Sequence, residues 1–432
     1  MRKHLLTLAA AAVCSLSPSA SALATETTAP GFAVSASSPA PAYGASYATL
    51  SDGRIVTFDG ASFDLFAADG SLLLNLGTLP AAVWASFVEI DPSETYALIG
   101  DSQTGDVFSV DLGGAGVTTV ANLPYNFDAV FDADSHFALI SAAICGWGCG
   151  NDILRLEVAT GAITPVAHVD GPSGPLALNA VGELYYATQD PAFPAPPAST
   201  DIIYWTPSQL ASGAPLDETN ATLLAAGFDG ASALALDPTS QNLFVAENLY
   251  GVSGKIHQLD RFGTRVAEVA SGLNWLSNME FLPATGPGTF QAWQPASVTM
   301  IYRRDDFNVD TTDRVSLTPA RATATISGSV PGAITVTFDG CMPDAAVLLT
   351  WGNVNYYDAD EFTYDIGLGF PLHFAVPLAA VRRQPFPLPT DSSGTAVFRY
   401  YDLGAFAGTL EFQAVLMDQN LALIGTSQAV LN

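Results

Sequence analysis

The chain alternates short apolar runs with turn-forming residues, and the pattern is most complete between Phe228 and Leu273. Within that stretch, Ser232–Leu236, Leu243–Ala246 and Arg265–Ala270 are runs of strand length, and another begins at Gly254-Lys255. Each run is bounded by Gly, Pro, Asn, Asp or Ser, which supply turn dihedrals that β-branched residues cannot adopt. The stretch therefore predicts one complete four-stranded sheet.

The same order of strand, turn, strand, loop and strand recurs along the chain. The copies are Ser46–Gly77, Trp84–Asp111, Phe127–Glu157, Gly174–Trp205, Ser232–Asp260 and a partial one at Ser277–Trp293. A single four-stranded sheet cannot bury both of its faces, whereas sheets packed radially cover one another. We predict a six-bladed β-propeller over residues 45–300, with five or seven blades as alternatives. Residues before Ala45 or after Pro295 are expected to complete the last blade.

From about Ala320 the hydrophobic period changes to two, as a half-buried antiparallel strand requires. The runs are Thr323–Val330, Ala333–Phe338, Ala346–Trp351, Phe362–Leu368, Thr395–Tyr401, Thr409–Met417 and a closing hairpin at Leu421–Leu431. This spacing predicts a β-sandwich of immunoglobulin or fibronectin architecture over residues 320–432. The fold class is therefore all-β, with a propeller followed by a sandwich.

Three segments lie outside these two domains. Residues 1–24 have the basic start, apolar run and small-residue end of a signal peptide, so we expect an exported protein, periplasmic, surface-bound or extracellular. Residues 25–44 predict a flexible lead in which Phe32–Ser35 can add an edge strand. Residues 301–319 predict an acidic linker.

The charge balance bears on partners. The chain has 14 basic and 42 acidic residues, a formal charge of −28, and Lys255 is the only lysine beyond the leader. Because affinity for phosphate backbones and anionic lipids comes from basic residues, we expect neither a nucleic-acid partner nor a membrane one. No later run is long enough for a membrane helix. Cations, and neutral ligands such as glycans or other small molecules, remain as candidate partners. The sequence does not determine the oligomeric state.

Beyond the leader the chain has three cysteines. Cys145 and Cys149 flank two glycines in CGWGC, which permit a turn tight enough for a disulfide. Two free thiols, or a redox or metal site, are the alternatives. Cys341 is expected to be either a buried small apolar residue or an intermolecular one.

The phrase SALALDPTSQNLFVAEN at 232–248 resembles the repeats of the six-bladed NHL and gluconolactonase (regucalcin-like) propellers. The resemblance covers about residues 45–293. Lactonases of that group hold a divalent cation on the axis, so it implies a lactonase-type hydrolase as an alternative function. Asn278 resembles the asparagine that this group has at the start of an inner strand. Ser232 and Gly174 stand at positions where the group has other metal ligands, and Asp229, three residues before Ser232, is the substitute for the first of them.

In a propeller, the loops that enter the inner strands share one face with the loops between the second and third strands, and ligands gather there. The candidate ligand-binding residues on this face are Asp101, Asp128, Trp147, Asp190, Asp229, Glu247, Asn248, Tyr250, Trp275 and Asn278. Carboxylates, amides and aromatic rings suit a sugar or a cation. The alternative for each Asp and Asn is a role in a turn.

A second candidate is the acidic run at 303–314. Asp306, Asn308, Asp310 and Asp313 alternate as in calcium loops, although Thr311 and Leu317 stand where an EF-hand has its Gly and Glu. Calcium or another divalent cation is therefore the only cofactor that the sequence suggests. No Gly-x-Ser-x-Gly elbow or zinc pattern occurs. The sequence predicts an exported ligand-binding protein, with a metal-dependent lactonase or a structural protein without a ligand as alternatives.

Overall fold

The computed structural model describes residues 27–28, 32–37, 44–132, 135–146, 150–192, 195–238, 240–248, 253–282, 299–306, 311–319, 322–328, 331–342, 344–353, 362–365, 371–374, 382–402, 410–417, 423–427 and 429–431. Strands dominate these residues. Two short strands come first, β1 (Thr27–Thr28) and β2 (Phe32–Ser37), and six sheets follow, named I to VI in chain order.

In sheets I to III the first four strands form a meander and pair in sequence order. Sheet I contains β3 (Ser46–Thr49), β4 (Ile55–Phe58), β5 (Ser62–Phe66) and β6 (Leu72–Thr78). Sheet II contains β7 (Ala85–Ile90), β8 (Tyr96–Asp101), β9 (Asp106–Asp111) and β10 (Val117–Asn122). Sheet III contains β11 (Asn126–Phe131), β12 (Phe137–Ala142), β13 (Asn151–Glu157) and β14 (Ala162–Val169).

Sheets IV to VI keep the same order with additions. Sheet IV contains β15 (Leu176–Leu178), β16 (Leu184–Ala187), β17 (Thr200–Trp205) and β19 (Thr222–Phe228). Between β17 and β19 the chain forms helix α1 (Pro207–Leu210), strand β18 (Leu216–Asp217) and a 3-10 turn (Glu218–Asn220). Sheet V contains β20 (Ala231–Leu236), β21 (Leu243–Glu247), β22 (Gly254–Leu259) and β23 (Arg265–Leu273). Sheet VI contains β24 (Trp275–Phe281), β25 (Met300–Asp306) and β26 (Thr311–Pro319). Strand β18 pairs with β14 of sheet III, and β1 pairs with β23.

The six sheets form a ring. The first strand of each sheet contacts the first strand of the next, and β24 of sheet VI contacts β3 of sheet I. Buried apolar clusters fill the interfaces between consecutive sheets from I to VI. The prediction of an all-β, propeller-like fold is therefore confirmed. The first strands are called the inner strands below.

Local turn chemistry explains why the repeats fold alike. Between the first two strands of sheet II, the carboxylate of Asp91 accepts the backbone N–H groups of Ser93, Thr95 and Tyr96 at 2.9, 2.6 and 2.8 Å. The turn also needs a residue with positive φ, which is Glu94 here, with φ of 55°. Ser135 and Gln241 take the same place in sheets III and V, with φ of 61° and 60°.

Sheet VI corrects one boundary. Residues 301–319 are predicted as an acidic linker, but residues 301–306 belong to β25 and residues 311–319 form β26 of this sheet. The charges misled the prediction because they are paired: Arg304 meets Asp313 at 2.9 Å between the two strands. Strand β2 pairs with β26 through six residues and completes the sheet, as expected of a segment before Ala45.

The C-terminal part forms three further sheets, and its strands bear out most of the predicted runs. They are β27 (Thr323–Gly328), β28 (Gly332–Asp339), β29 (Ala346–Asn353), β30 (Phe362–Asp365), β31 (Pro371–Phe374), β32 (Arg382–Arg383), β33 (Leu388–Pro389), β34 (Ala396–Asp402), β35 (Leu410–Met417), β36 (Leu423–Thr426) and β37 (Val430–Leu431). The sheet of β27, β28 and β34 and the sheet built on β29 and β35 share one buried apolar cluster. Cys341 is buried in that cluster as a free thiol, and burial raises its pKa to about 12.

Candidate functional site

One end of the ring gathers exposed aromatic side chains. This is the end at which the inner strands begin, and it is called the entrance face. Trp84, Tyr125, Phe127 and Trp275 lie there with 70%, 52%, 38% and 37% of their surface exposed, and we name these four residues the aromatic collar. Ile144, also exposed, lies in the loop between the second and third strands of sheet III. Large apolar side chains in water on one face mark a candidate contact surface.

Asp101 holds part of the collar in place. Its buried carboxylate accepts the backbone N–H of Trp84 at 3.1 Å and those of Gln103 and Thr104 at 2.8 and 3.1 Å. Its backbone carbonyl accepts the side-chain amide of Asn126 at 2.9 Å, which joins sheet II to the start of β11. Asp101, predicted to bind ligand, therefore supports Trp84 from below and makes a turn.

Tyr125 is held in an unusual conformation. Its φ is 55°, in the left-handed region that a bulky residue seldom occupies. The Ser173 hydroxyl donates to its carbonyl at 2.9 Å, and its ring lies 3.9 Å from where a β-carbon on Gly146 would stand. Strain of this kind costs about 1–3 kcal/mol and collects at functional sites. Here it places an aromatic ring on the entrance face.

Phe127 reaches the same face through a β-bulge. The register between β11 and β12 shifts between Asn126 and Asp128, so Phe127 is the extra residue of the bulge. Bulges of this kind redirect a side chain and are common beside binding sites. Sequence reasoning placed Phe127 at the start of a strand and did not select it.

Asp128, the next residue, faces the neighbouring sheet. Its carboxylate accepts the backbone N–H of Leu176 on β15 at 2.8 Å and that of Ala129 at 2.9 Å. Burial raises the pKa of Asp128 to about 6, against the lowering effect of these two hydrogen bonds. On other inner strands, burial likewise raises the pKa of Glu89 and Glu280, and the negative charge of Asp128 adds to the shift at Glu89.

Glu247 of sheet V contacts Asp229, which lies in the loop before the first strand of that sheet. Glu247 is buried, with one oxygen 2.7 Å from His257 Nε2 and the other accepting the backbone N–H of Asp229 at 2.6 Å. Burial opposes ionisation, but these two contacts hold the pKa of Glu247 below its usual value. Asp229 in turn accepts the N–H of Ala198 at 2.7 Å. Both oxygens of Glu247 and one oxygen of Asp229 are therefore engaged in contacts within the protein.

The two predicted asparagines join sheets. Asn248 accepts the backbone N–H of Leu276 at 2.9 Å and donates to the Leu276 carbonyl and to Ser232, so it links sheets V and VI. Asn278, with φ of 54°, is the bulge residue of β24 and donates to the carbonyl of Tyr47 on sheet I. Both amides satisfy inner-strand backbone groups.

Asp190 lies in a separate acidic cavity of about 450 Å³ along sheet IV. Three more carboxylates line it, those of Asp170, Asp201 and Glu218, and none of its lining residues is basic. Several of these oxygens are engaged: Glu218 accepts the N–H of Asp170 at 2.8 Å, and Asp190 accepts that of Ala192 at 2.8 Å. The cavity is distinct from the aromatic collar.

Several predicted residues lie outside the described residues, namely Trp147, Cys149, Tyr250, Asn308 and Asp310. The Cys145–Cys149 disulfide therefore stays a prediction. In the acidic run, Asp306 ends β25, and Asp313 is paired with Arg304. Among the described residues, no group of three or more His, Cys, Asp or Glu side chains is arranged to hold a metal ion. No helix in the same part of the chain is long and apolar enough to cross a membrane.

Neither a protein-family model nor a curated protein sequence matches the chain. Among solved structures, regucalcin from Agrobacterium tumefaciens is similar with a TM-score of 0.46 and 14% identity, over 68% of this chain and 98% of that one. A gluconolactonase from Xanthomonas campestris matches with a TM-score of 0.45 and 14% identity, over 64% and 87%. Virginiamycin B lyase from Staphylococcus aureus matches with a TM-score of 0.39 and 11% identity, over 71% and 94%. Similarity at this level leaves the ligand to be argued from this chain's own side chains.

Proposed function

We propose that sheets I to VI are the six blades of an exported propeller that binds a neutral ligand, a carbohydrate by class, on its entrance face. One observation supports this most strongly: four aromatic side chains stand exposed at one end of the ring. Aromatic faces pack against the apolar faces of sugar rings, while nearby amides and hydroxyls supply hydrogen bonds. A formal charge of −28 disfavours anionic ligands.

The leader at residues 1–24 supports export. The C-terminal sheets would form a sandwich that serves as a spacer, a carbohydrate-binding module or an attachment module. Phe386 and Tyr401, which are largely exposed in that part, are compatible with the second of these roles.

The experiment titrates residues 25–432 with neutral gluco-, xylo- and manno-hexasaccharides and with an anionic oligogalacturonate by calorimetry. Trp84→Ala and Tyr125→Ala should each weaken the tightest neutral complex by roughly tenfold, which corresponds to about 1.4 kcal/mol. Phe262→Ala is the matched control, because Phe262 is 71% exposed but lies in the hairpin between β22 and β23, at the opposite end of its sheet. Equal losses in the control, or tightest binding of the oligogalacturonate, would contradict the proposal.

The lactonase-type alternative rests on Asn278, Asp229 and Glu247 sharing a divalent cation. Asp229 and Glu247 are adjacent, but the amide of Asn278 is used by Tyr47 on sheet I. The alternative predicts that calcium, magnesium, manganese or zinc raises the melting temperature above its value in EDTA, and that Glu247→Gln abolishes the rise. A melting temperature unaffected by all four ions removes this alternative and the calcium site at 306–313. Failure of every oligosaccharide as well would favour a structural protein without a ligand.

A further inference from the structure

The interface that closes the ring differs in chemistry from the other five. Each of the five interfaces between consecutive sheets from I to VI is filled by a cluster of ten or more buried apolar residues. Between sheet VI and sheet I, the buried apolar cluster among the described residues consists of Tyr47, Ile55 and Ile301, and Phe66 and Leu282 pack against it partly buried. We call this interface the polar seam.

Charged and hydroxyl side chains line the polar seam beside this small apolar cluster. On one side of it, Arg303 donates to the carbonyl of Ala45 at 2.6 Å and pairs with Asp305 at 3.1 Å. The hydroxyl of Thr312 donates to Asp305 and accepts the backbone N–H of Gly44 at 3.1 Å. Asp305 and Thr312 are almost fully buried, so these bonds are shielded from water.

On the other side of the seam, Thr49 is the centre of a relay. Its hydroxyl accepts from Arg314 at 2.8 Å and donates to Glu280, and its backbone N–H donates to Glu280 at 2.8 Å. Tyr47 is fully buried beside this group, with the Arg314 guanidinium 5.5 Å from its ring centre, and its hydroxyl has no hydrogen-bond partner among the described residues. Two of the chain's 14 basic residues, Arg303 and Arg314, are therefore used to close the ring.

We propose that the polar seam is a latch, at which the ring opens and recloses before any other inter-sheet interface separates. Burying apolar area stabilises the other interfaces directly. At the seam, the attraction between charges is largely offset by the cost of removing them from water, so the net stability is smaller. Strand β2 stays paired with β26, and the chain from β2 leads directly into sheet I, so an opened latch remains tethered and can reclose.

Local opening of this kind is measured by amide hydrogen exchange. In wild-type residues 25–432 at pH 7, peptides covering 44–50 and 299–306 should exchange at least tenfold faster than those covering the inner strands at 85–90, 126–131 and 231–236. Equal rates in the two sets would overturn the proposal without any variant. The measurement does not depend on a ligand.

Two hydroxyl-removing variants sharpen the test. Thr49→Val keeps the side-chain shape but breaks the relay, and it should speed exchange at the seam by a further tenfold while the other inner strands are unchanged. Ser141→Ala is the matched control, since the Ser141 hydroxyl donates to the Gly174 carbonyl at 2.7 Å across the apolar interface of sheets III and IV. Its effect should stay within those two sheets. Uniform acceleration by Thr49→Val throughout the ring would contradict a local latch.

Discussion

Replacing Asp128 by Asn should stabilise the propeller at neutral pH. The pKa of the buried carboxyl is about 6, against an ordinary value of 3.8. Because the folded state raises this pKa, the contribution of Asp128 to the free energy of unfolding is most favourable at acidic pH. That contribution is lost as the pH rises from about 4 to about 6. At 1.36 kcal/mol per pH unit, the ionised form costs up to about 3 kcal/mol at pH 7.5.

Asparagine keeps an oxygen that can accept the Leu176 N–H, so the substitution removes the charge and retains the hydrogen bond. In thermal unfolding between pH 4 and pH 8, the variant should match wild type near pH 4 and melt about 5 °C higher at pH 7.5. Asp69→Asn is the control, because Asp69 is exposed and Ser71 lowers its pKa. A difference between Asp128→Asn and wild type that does not vary with pH, or a less stable variant at pH 7.5, would refute the reasoning.

Three further substitutions test the contacts around the entrance face. Asp101→Ala should lower the free energy of unfolding by about 3 kcal/mol in urea titrations, since three backbone N–H groups lose the buried carboxylate that accepts them. Glu247→Gln should cost about 2 kcal/mol by the same assay, because His257 loses a charged partner, and an unchanged midpoint would argue against the pair. Asn278→Gly should be less destabilising than Asn278→Ala in thermal melts. Both variants lose the hydrogen bond to Tyr47, but only glycine adopts the positive φ of this position without strain. Equal losses of melting temperature would contradict the role of backbone strain.

The sequence predicted the fold well where local chemistry decides it. The turns at Asp91 and Asp237 form the first hairpins of sheets II and V, and apolar runs of strand length identify the sheets. Sheet VI was harder, because β2 is separated from β26 by more than 270 residues in the chain. The run Arg303–Arg314 is charged enough to suggest a solvated linker, and only the three-dimensional pairing neutralises it.

The candidate site was less predictable, because a polar residue near the entrance face can serve either a ligand or the backbone. Asp101 accepts backbone N–H groups of a turn, whereas Asn248 and Asn278 bond backbone groups of neighbouring sheets, a role that the sequence did not predict. Neither hydrophobic period nor composition predicts the exposure of Trp84 and Tyr125, because it follows from the contact of Trp84 with Asp101 and from the positive φ of Tyr125. An aromatic residue directly before an inner strand is the signal that could have identified them.

The most direct test of the central claim is a hydrogen-exchange footprint with the neutral hexasaccharide that binds most tightly. Binding at the aromatic collar predicts protection in peptides covering 82–87, 123–128, 143–146 and 274–278. The acidic cavity, in peptides covering 188–192 and 217–221, should be unaffected. Protection confined to the C-terminal sheets at 323–431 would instead place the carbohydrate on that module and contradict the claim that the propeller face binds it.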